Sequence, residues 1–564
     1  MCGVAAIVGP KASLQNLEGI LALQHHRGPD FTGYWVEPNQ IALGHNRLSI
    51  IDLSAAANQP CVSSDERYHL VFNGEIYNYL ELKQKLRFDF EFKTNSDTEV
   101  LLAAFIKWGK DCLAELNGMF AFIIWDKKDQ SLFAARDRFG VKPLYFSQLA
   151  DSLILSSEIR PHWQIGIPKV PNSDVWHSYL TKGQYGMPDE TFWKGIHQIP
   201  GGHYLTFKNG DIEIQSWYDF VARSMALMNH QENDEEAYIL DLLKDSVQLR
   251  FRADVPVGFN LSGGLDSSTL LALVSDAYPD ESKIEAFTFF TGDERYDELP
   301  WVRQMLVGKP YPLNTCKLEV SDIPHLTQKI ASVQDEPFGG IPTLAYAKVF
   351  EEARKKGILV LLDGQGSDEA WAGYDYYLKN TTSLIQGTNT SPVRPEALTN
   401  SLKSMGSREI PMPFSDELLN KQFRDIFYTK IPRALRFNDR VSMAFSTELR
   451  EPFLDYRLVE YVFSRSRDFK IKDGQQKWLL RKIAAKYLGD DIALAPKRPL
   501  QTPQREWLGG PLASWVEEKL EFLKANIDWF DPESLDVIWK EYKNGNQENS
   551  FYIWQWVNTA EVLQ

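Results

Sequence analysis

At 564 residues the chain is too long for one hydrophobic core, so two domains or more are expected. Its 43% hydrophobic and 13% aromatic content suits packed globular domains, and its formal net charge of -15 disfavours nucleic acid and anionic membrane as partners. Cys2, Cys61, Cys112 and Cys316 are too few and too scattered for a disulfide scaffold or a thiolate metal site.

The first residues lack the charged start of a secretory signal. The apolar run 358–362 falls far short of the ~20 residues of a membrane span. A soluble, cytoplasmic protein is expected.

In chain order, residues 4–8 read as a short buried strand. Residues 98–108 carry apolar side chains at helical spacing behind a Ser/Asp/Thr start, which predicts a capped helix. Residues 119–125 and 132–135 flank a polar stretch and read as a hairpin. The polar run around 222–236 marks the passage into a second domain. The expected division is 2–205, a linker over 206–235, and 236–564.

Beyond it, strands are expected at 256–261, 284–290 and 358–362, with helices at 267–277 and 346–356. That alternation argues for a parallel sheet covered by helices. Residues 381–406, rich in Ser, Thr, Asn and Pro, read as a mobile loop or surface insertion. The last 130 or so residues read as mostly helical.

Cys2 carries a thiol and, once Met1 is removed, a free α-amine whose ordinary pKa of ~8 lets it act as a base beside the nucleophile. Alone, a cysteine at this position is weak evidence. It is followed by His26-Arg27-Gly28-Pro29-Asp30, Arg47-Leu48-Ser49-Ile50-Ile51-Asp52, Phe72-Asn73-Gly74-Glu75-Ile76-Tyr77-Asn78 and Ser96-Asp97-Thr98-Glu99. In these ordered blocks the first 200 or so residues resemble the glutaminase domain of class II glutamine amidotransferases, with the αββα fold of N-terminal nucleophile hydrolases.

The resemblance implies that the Asn73 side-chain amide and the Gly74 backbone N–H, adjacent in a turn, form the oxyanion hole. It places Arg47, Ile51, Glu75 and Asp97 around glutamine. The charges suit these roles: an Arg fork pairs with the α-carboxylate, and a carboxylate with the α-ammonium.

The second domain opens with Asn260-Leu261-Ser262-Gly263-Gly264-Leu265-Asp266-Ser267-Ser268, between an expected strand and helix. Glycines allow close backbone approach to a polyanion, and N–H and hydroxyl groups can hold its oxygens. There is no Walker A lysine. The string resembles the pyrophosphate loop of ATP pyrophosphatases, a doubly wound parallel-sheet fold, here with helical additions.

A second acidic loop reads Asp363-Gly364-Gln365-Gly366-Ser367-Asp368-Glu369. The resemblance implies ATP as substrate and Mg2+ held by Asp266 and Asp368. It lines the nucleotide pocket with Asn260, Ser262, Gly263, Gly264, Ser267, Phe289, Asp363 and Gly364, and makes Lys477 the cation that neutralises the adenylating transition state.

The two domains in this order, with the stretches 438–444 and 451–455, resemble class B, glutamine-hydrolysing asparagine synthetases across the chain. The resemblance implies small-molecule substrates (glutamine, aspartate and ATP), an acyl-adenylate, and ammonia carried inside the protein. A homodimer is compatible with it.

Three positions depart from the best-known members. Gln365 stands in place of Glu and would hydrogen-bond rather than act as a base. Phe289 replaces a smaller aliphatic residue, and Glu451 an apolar one. Related enzymes amidate cell-wall peptides or sugar acids, which is the alternative acceptor class. A non-catalytic sensor of glutamine or nucleotide is disfavoured, since a sensor needs no nucleophile. Glu451 is expected to be solvated or ion-paired; should it face the pocket, Lys497 and Arg498 are the cations that could offset it.

Overall fold

The computed structural model describes residues 2–230, 232–279, 283–378, 392–403, 408–496, 501–545 and 549–564. Its N-terminal part is built on two six-stranded sheets. The strands are β1 Gly3–Val8, β2 Phe31–Glu37, β3 Ile41–Arg47, β4 Cys61–Val62, β5 Tyr68–Ile76, β6 Gly118–Asp126, β7 Ser131–Arg136, β8 Tyr145–Leu149, β9 Ser152–Ser156, β10 Ile196–Gln198, β11 His203–Lys208 and β12 Asp211–Ser216. One sheet runs β10-β8-β9-β1-β3-β2, the other β12-β11-β7-β6-β5-β4.

The alternation in β1 shows how they stack. Val4, Ala6 and Val8 join Val71, Ile123 and Trp125 of the facing sheet in one apolar cluster. Ala5 and Ile7 point the other way, onto Leu17, Ile20 and Leu21 of the helix Leu14–Leu23. The helix Asp97–Trp108 covers the outer face of the second sheet through Val100, Leu101 and Ala104. Ser96 caps it, accepting the Thr98 N–H at 3.1 Å. The result is a layered αββα arrangement, and the hairpin and helix expected from the sequence are present.

The expected linker over 206–235 is a correction. Residues 206–216 belong to β11 and β12, and β11 pairs with β7. The helix Phe220–Met228 follows, capped by Asp219 and packed on Phe463, with ring centroids 4.8 Å apart. The polar run marks the exposed end of that helix and the start of the next, since exposed faces and flexible linkers share a composition.

The second part holds a five-stranded, fully parallel sheet ordered β15-β14-β13-β16-β17. Its strands are β13 Val257–Asn260, β14 Glu285–Phe290, β15 Leu313–Lys317, β16 Val360–Leu362 and β17 Glu448–Arg450. The strand order reverses between β13 and β16, so the crevice outside their carboxyl ends is where such a sheet binds ligands.

The residues after 450 are mostly helical, apart from the short pair Ile471–Lys472 and Gln475–Gln476. Of the expected insertion 381–406, residues 381–391 and 404–406 lie outside the described residues; between them stand a single turn at Pro395–Ala397 and the helix Asn400–Lys403. Among the described residues no helix is long and apolar enough to cross a membrane.

Candidate active sites

Cys2 immediately precedes β1 and is only 8% exposed. Its backbone N–H donates to Asn73 Oδ1 at 2.9 Å. That bond fixes which way the amide faces, and it leaves Asn73 Nδ2 buried with no hydrogen-bond partner. A buried amide donor without an acceptor is costly, and beside a thiol it is suited to receive an oxyanion. Burial pushes the Cys2 thiol above its ordinary pKa, so activation must come from a base at the site.

Asn73 and Gly74 do not form the expected turn. They lie inside β5, paired with Ala121 and Phe120. Gly74 has φ +145°, and a Cβ there would meet Met119 O at 2.1 Å. The strand thus turns at a point where only glycine fits, which is the local distortion an Asn-Gly pair also allows in turns.

Arg27, from the quoted His26–Asp30 block, was assigned no role by sequence. Its Nε donates to Cys2 O at 3.0 Å, and its Nη1 bonds Asp439 at 2.9 Å and Glu158 at 3.1 Å. It therefore ties the nucleophile to the helix Lys430–Met443 of the other domain.

Around the expected glutamine pocket, Arg47 gathers the loop that follows it. It donates to Ser54 O at 2.8 Å, Asn58 Oδ1 at 2.7 Å and Ile51 O at 3.5 Å, and also to Asp52 O. Asp97 Oδ2 accepts the Ile76 N–H at 2.9 Å, and burial lifts its pKa to about 6. Glu75 is raised well above the carboxylate range by burial and by the charges of Glu448 and Asp97.

Two residues the sequence reading left unassigned complete this cluster. Glu448 and Arg450, on β17 of the second domain, are fully buried. Arg450 bonds Glu448 through Nε at 2.6 Å and stands 3.6 Å from Glu75. Glu75, Asp97 and Glu448 face one guanidinium, so three carboxyl groups compete for a single cation, and a second cation such as an ammonium group would be welcomed there. The only sequence signal was the Glu-x-Arg pair beside the quoted 438–444 and 451–455 stretches.

The second site lies at the switch point. Asn260, Ser262, Ser267, Phe289 and Asp363 line one crevice with Thr288 and Tyr346. Ser267 Oγ receives the Ser262 N–H at 3.1 Å and donates to Ser262 O at 2.8 Å, folding the loop tightly before the helix Leu265–Ala277. Gly264 N donates to Ser262 Oγ at 3.3 Å. Gly263 N donates to Glu298 Oε2 at 3.1 Å, an anionic oxygen where a phosphate oxygen would also fit.

Asp363 accepts from Asn260 Nδ2 at 3.2 Å, and burial raises its pKa. Gly364 sits where a Cβ would come within 2.9 Å of the Asp266 Cβ, so the two loops touch. Gln365, half-buried between two glycines, follows.

Lys477 joins the acidic loops. Its Nζ lies 2.7 Å from both Asp266 oxygens, 2.6 Å from Asp368 and 2.8 Å from Ser367 Oγ. Burial would lower its pKa, but Asp266 and Asp368 outweigh this and hold the ammonium charged. Its backbone has φ +53°, a strained choice for a non-glycine that recurs at functional sites. Gly373, unassigned by sequence, leaves room for the pair: a Cβ there would meet Asp368 Oδ1 at 2.0 Å and Lys477 Cε at 2.2 Å.

Among the described residues no group of three or more His, Cys, Asp or Glu is placed to hold a metal. Two convergent carboxylates suit magnesium, which takes one or two from the protein and the rest from phosphates and water.

Glu451 overturns the expectation of a solvated or ion-paired residue. It is 4% exposed, and among the described residues its carboxylate has neither hydrogen bond nor ion pair. β17 carries it into the seam between the domains, where packing rather than residue type sets burial. Burial lifts its pKa to about 8. Lys497 and Arg498 lie outside the described residues. Arg450 offers Glu451 no compensation, since it is spent on Glu448 and on the carbonyls of Arg250 and Arg252 at 2.7 and 2.8 Å.

A cavity of about 450 Å³ lies at the domain seam, walled by Phe139, Val141 and Trp217 from one side and Phe427 and Leu435 from the other, with Arg436 and Asp439.

Residues 1–218 match the glutamine amidotransferase domain family, and residues 238–564 match the asparagine synthase family. The chain is 29% identical to asparagine synthetase (glutamine-hydrolyzing) 3 of Bacillus subtilis, over 92% of this chain and 89% of the relative. It is 27% identical to asparagine synthetase (glutamine-hydrolyzing) 1 of the same organism, over 98% and 95%. It is also 28% identical to the amidase chyE of Penicillium rubens, over 94% and 92%.

Proposed function

The chain belongs to the asparagine synthase family and carries a glutamine amidotransferase domain, and we propose that it converts aspartate, glutamine and ATP to asparagine, glutamate, AMP and pyrophosphate. The observation that carries the glutaminase half is the Cys2–Asn73 bond, which leaves the Asn73 amide donor unpartnered beside a buried thiol. The thiol attacks the glutamine side-chain carbonyl, and the amine of Cys2, freed of Met1, takes the thiol proton. Asn73 Nδ2 and the Gly74 N–H receive the oxyanion. Arg47 and the Ile51 backbone meet the α-carboxylate; Asp97 and Glu75 meet the α-ammonium.

The released ammonia travels between the domains, where apolar walls such as Phe139, Val141 and Leu435 favour the uncharged form. At the switch point the Ser262–Ser267 loop takes the pyrophosphate portion of ATP, and Asn260, Phe289, Asp363 and Gly364 take the nucleoside portion. Asp266 and Asp368 would hold magnesium, which neutralises phosphate charge when bound. Lys477 supplies a fixed cation to the same charge as the acceptor carboxylate is adenylated.

Gln365, Phe289 and Glu451, together with the likeness to an amidase, favour a second reading of the acceptor alone: a sugar-acid or peptide carboxylate. Pyrophosphate release is the deciding measurement, with ammonia as donor and a panel of aspartate, uronic acids and peptide carboxylates. Release with aspartate supports asparagine synthesis. Release only with another acid moves the acceptor and keeps the amidotransferase. No release with any acid overturns the synthetase reading.

A further inference from the structure

One carboxylate at the domain seam is left without a task by this scheme. Glu451 follows β17 directly, and β17 runs parallel to β16 with Leu362 opposite Arg450. The Asp363 N–H donates to Arg450 O at 2.9 Å, so Glu451 leaves the sheet beside the nucleotide crevice.

Its other side meets the glutaminase domain. Glu451 lines a small cavity with Tyr77, Asn117, Met119, Val141 and Leu454. Met119 pairs with Glu75, one residue from Gly74, so this cavity begins beside the oxyanion donors. Val141 and Phe139 also wall the larger inter-domain cavity. Glu451 thus lines a cavity that begins near the oxyanion donors, and it follows the strand residue that bonds Asp363 of the nucleotide crevice.

The neighbouring carboxylates are engaged or lie off this cavity. Asp266 and Asp368 hold Lys477. Asp363 accepts from Asn260 and from the Gly364 N–H. Glu369 accepts the Tyr374 hydroxyl at 2.6 Å on one oxygen, its other oxygen is buried without a hydrogen-bond partner, and it does not line the seam cavity of Glu451. Gln365 carries an amide, which cannot take up a proton at neutral pH.

We propose that Glu451 is the proton acceptor of the amide-forming step, taking the proton that nitrogen sheds as it bonds the adenylated carbonyl carbon. The proposal rests on the synthetase reading above. Ammonia forms the C–N bond, and its nitrogen becomes positive. One proton passes to the Glu451 carboxylate. The C–O bond to AMP then breaks, and the electron pair leaves on the phosphate oxygen. Glu451 returns its proton to water before the next turnover.

The surroundings suit the task. Burial holds the Glu451 carboxyl near pKa 8, opposed by Lys142 and Arg250 and reinforced by Asp363 and Asp137. Tyr77, Arg138 and Tyr456 are the other titratable groups on the cavity wall. A carboxylate of that basicity is far better matched to an ammonium-like nitrogen than one of ordinary pKa. Arg250 is tied to Asp455 at 3.2 Å, and Arg138 to the carbonyls of Leu116 and Ala114.

The test uses the full chain, glutamine as donor, and whichever acid in the panel supports pyrophosphate release. Glutamine is chosen so that the ammonium equilibrium in solution does not enter the pH profile. Amide, pyrophosphate and glutamate are measured separately from pH 6.5 to 9 for wild type, Glu451→Gln and Glu451→Asp.

The expected result is a fall of about 100-fold in amide formation for Glu451→Gln, with glutamate production kept and pyrophosphate still formed in a single turnover. The wild-type amide rate should climb with pH through about 8, and the glutamine variant should lose that climb. Glu451→Asp should recover part of the rate.

Wild-type-like amide formation in Glu451→Gln overturns the proposal. So does equal loss of glutamate, pyrophosphate and amide in both variants, which marks a structural role. A wild type that releases pyrophosphate with no acid overturns the synthetase reading beneath it instead.

Discussion

The two active sites are built by opposite strategies. The glutaminase site is made from strands: Cys2 immediately precedes β1, and Asn73, Gly74 and Glu75 lie within β5, paired along its length with β6. Its donors are in place before any ligand arrives. The synthetase site is made from loops beyond the ends of β13 and β16, held by the contact of Lys477 with Asp266 and Asp368. There the protein's own charges satisfy one another, and on the proposed scheme they would rearrange around ATP and magnesium. Chemistry that needs an oxyanion hole favours the rigid platform, whereas transfer from a flexible polyanion favours closable loops.

The sharpest break between the two is Cys2→Ala. It should abolish glutamate release, because the proposed scheme makes the Cys2 thiol the nucleophile, while synthesis from added ammonia continues. Loss of both activities in a folded variant would contradict two separate chemistries. Intact-mass measurement of active protein should also show Met1 absent, since the Cys2 amine must be free.

Next in size come Asp266→Asn, Asp368→Asn and Lys477→Ala. Each removes a charge whose value rises in the transition state, typically ~3 kcal/mol or more, so synthesis should fall about 100-fold. Glutaminase turnover should persist. Wild-type synthesis in either aspartate variant would remove it from the metal site.

A smaller effect is expected from Gly373→Ala. The added methyl would strike both Asp368 and Lys477, forcing the loop or the two side chains to shift by about an ångström. Small displacements of positioned groups cost about tenfold or more in rate. The loss should appear in synthesis and not in glutamate release. An unchanged rate would show that this loop yields without disturbing the pair.

Local chemistry was legible in the sequence, and docking was not. The helix over 97–108 declared itself through apolar spacing and the Ser96 cap, and the Ser-Gly-Gly loop through its strand-loop-helix setting. Asn73-Gly74 was read as a turn because the pair has that local preference; only its ladder to Ala121 and Phe120 shows a strand. The roles of Arg27, Glu448 and Arg450 depend on contacts across the domain seam, such as Arg27 to Asp439, and no sequence spacing reports these. The burial of Glu451 is hidden from the sequence for the same reason. A glutamate is usually exposed, and here β17 carries it into the seam.

The gentlest test concerns pH at the strand-built site. Burial lifts Asp97 from an ordinary 3.8 to about 6, helped by the charge of Glu448, while the Ile76 and Thr98 N–H groups and Arg450 oppose the rise. On the proposed scheme its ionised form meets the glutamine ammonium, and that form is lost as pH falls through about 6. The KM for glutamine should therefore rise about fourfold between pH 7.5 and 5.5, with turnover less affected. Asp97→Asn should weaken glutamine binding at neutral pH and flatten this dependence.

The stability sign runs the other way. A carboxyl whose folded pKa is raised binds its proton more tightly when folded, so its contribution to stability declines as pH rises from 3.8 towards about 6 and then levels off. Asp97→Asn, which can keep the Ile76 hydrogen bond, should match or exceed the wild-type melting temperature at pH 7.5. A variant that loses both glutamine affinity and thermal stability there would mark Asp97 as a structural anchor of its helix rather than a binding charge kept at a cost.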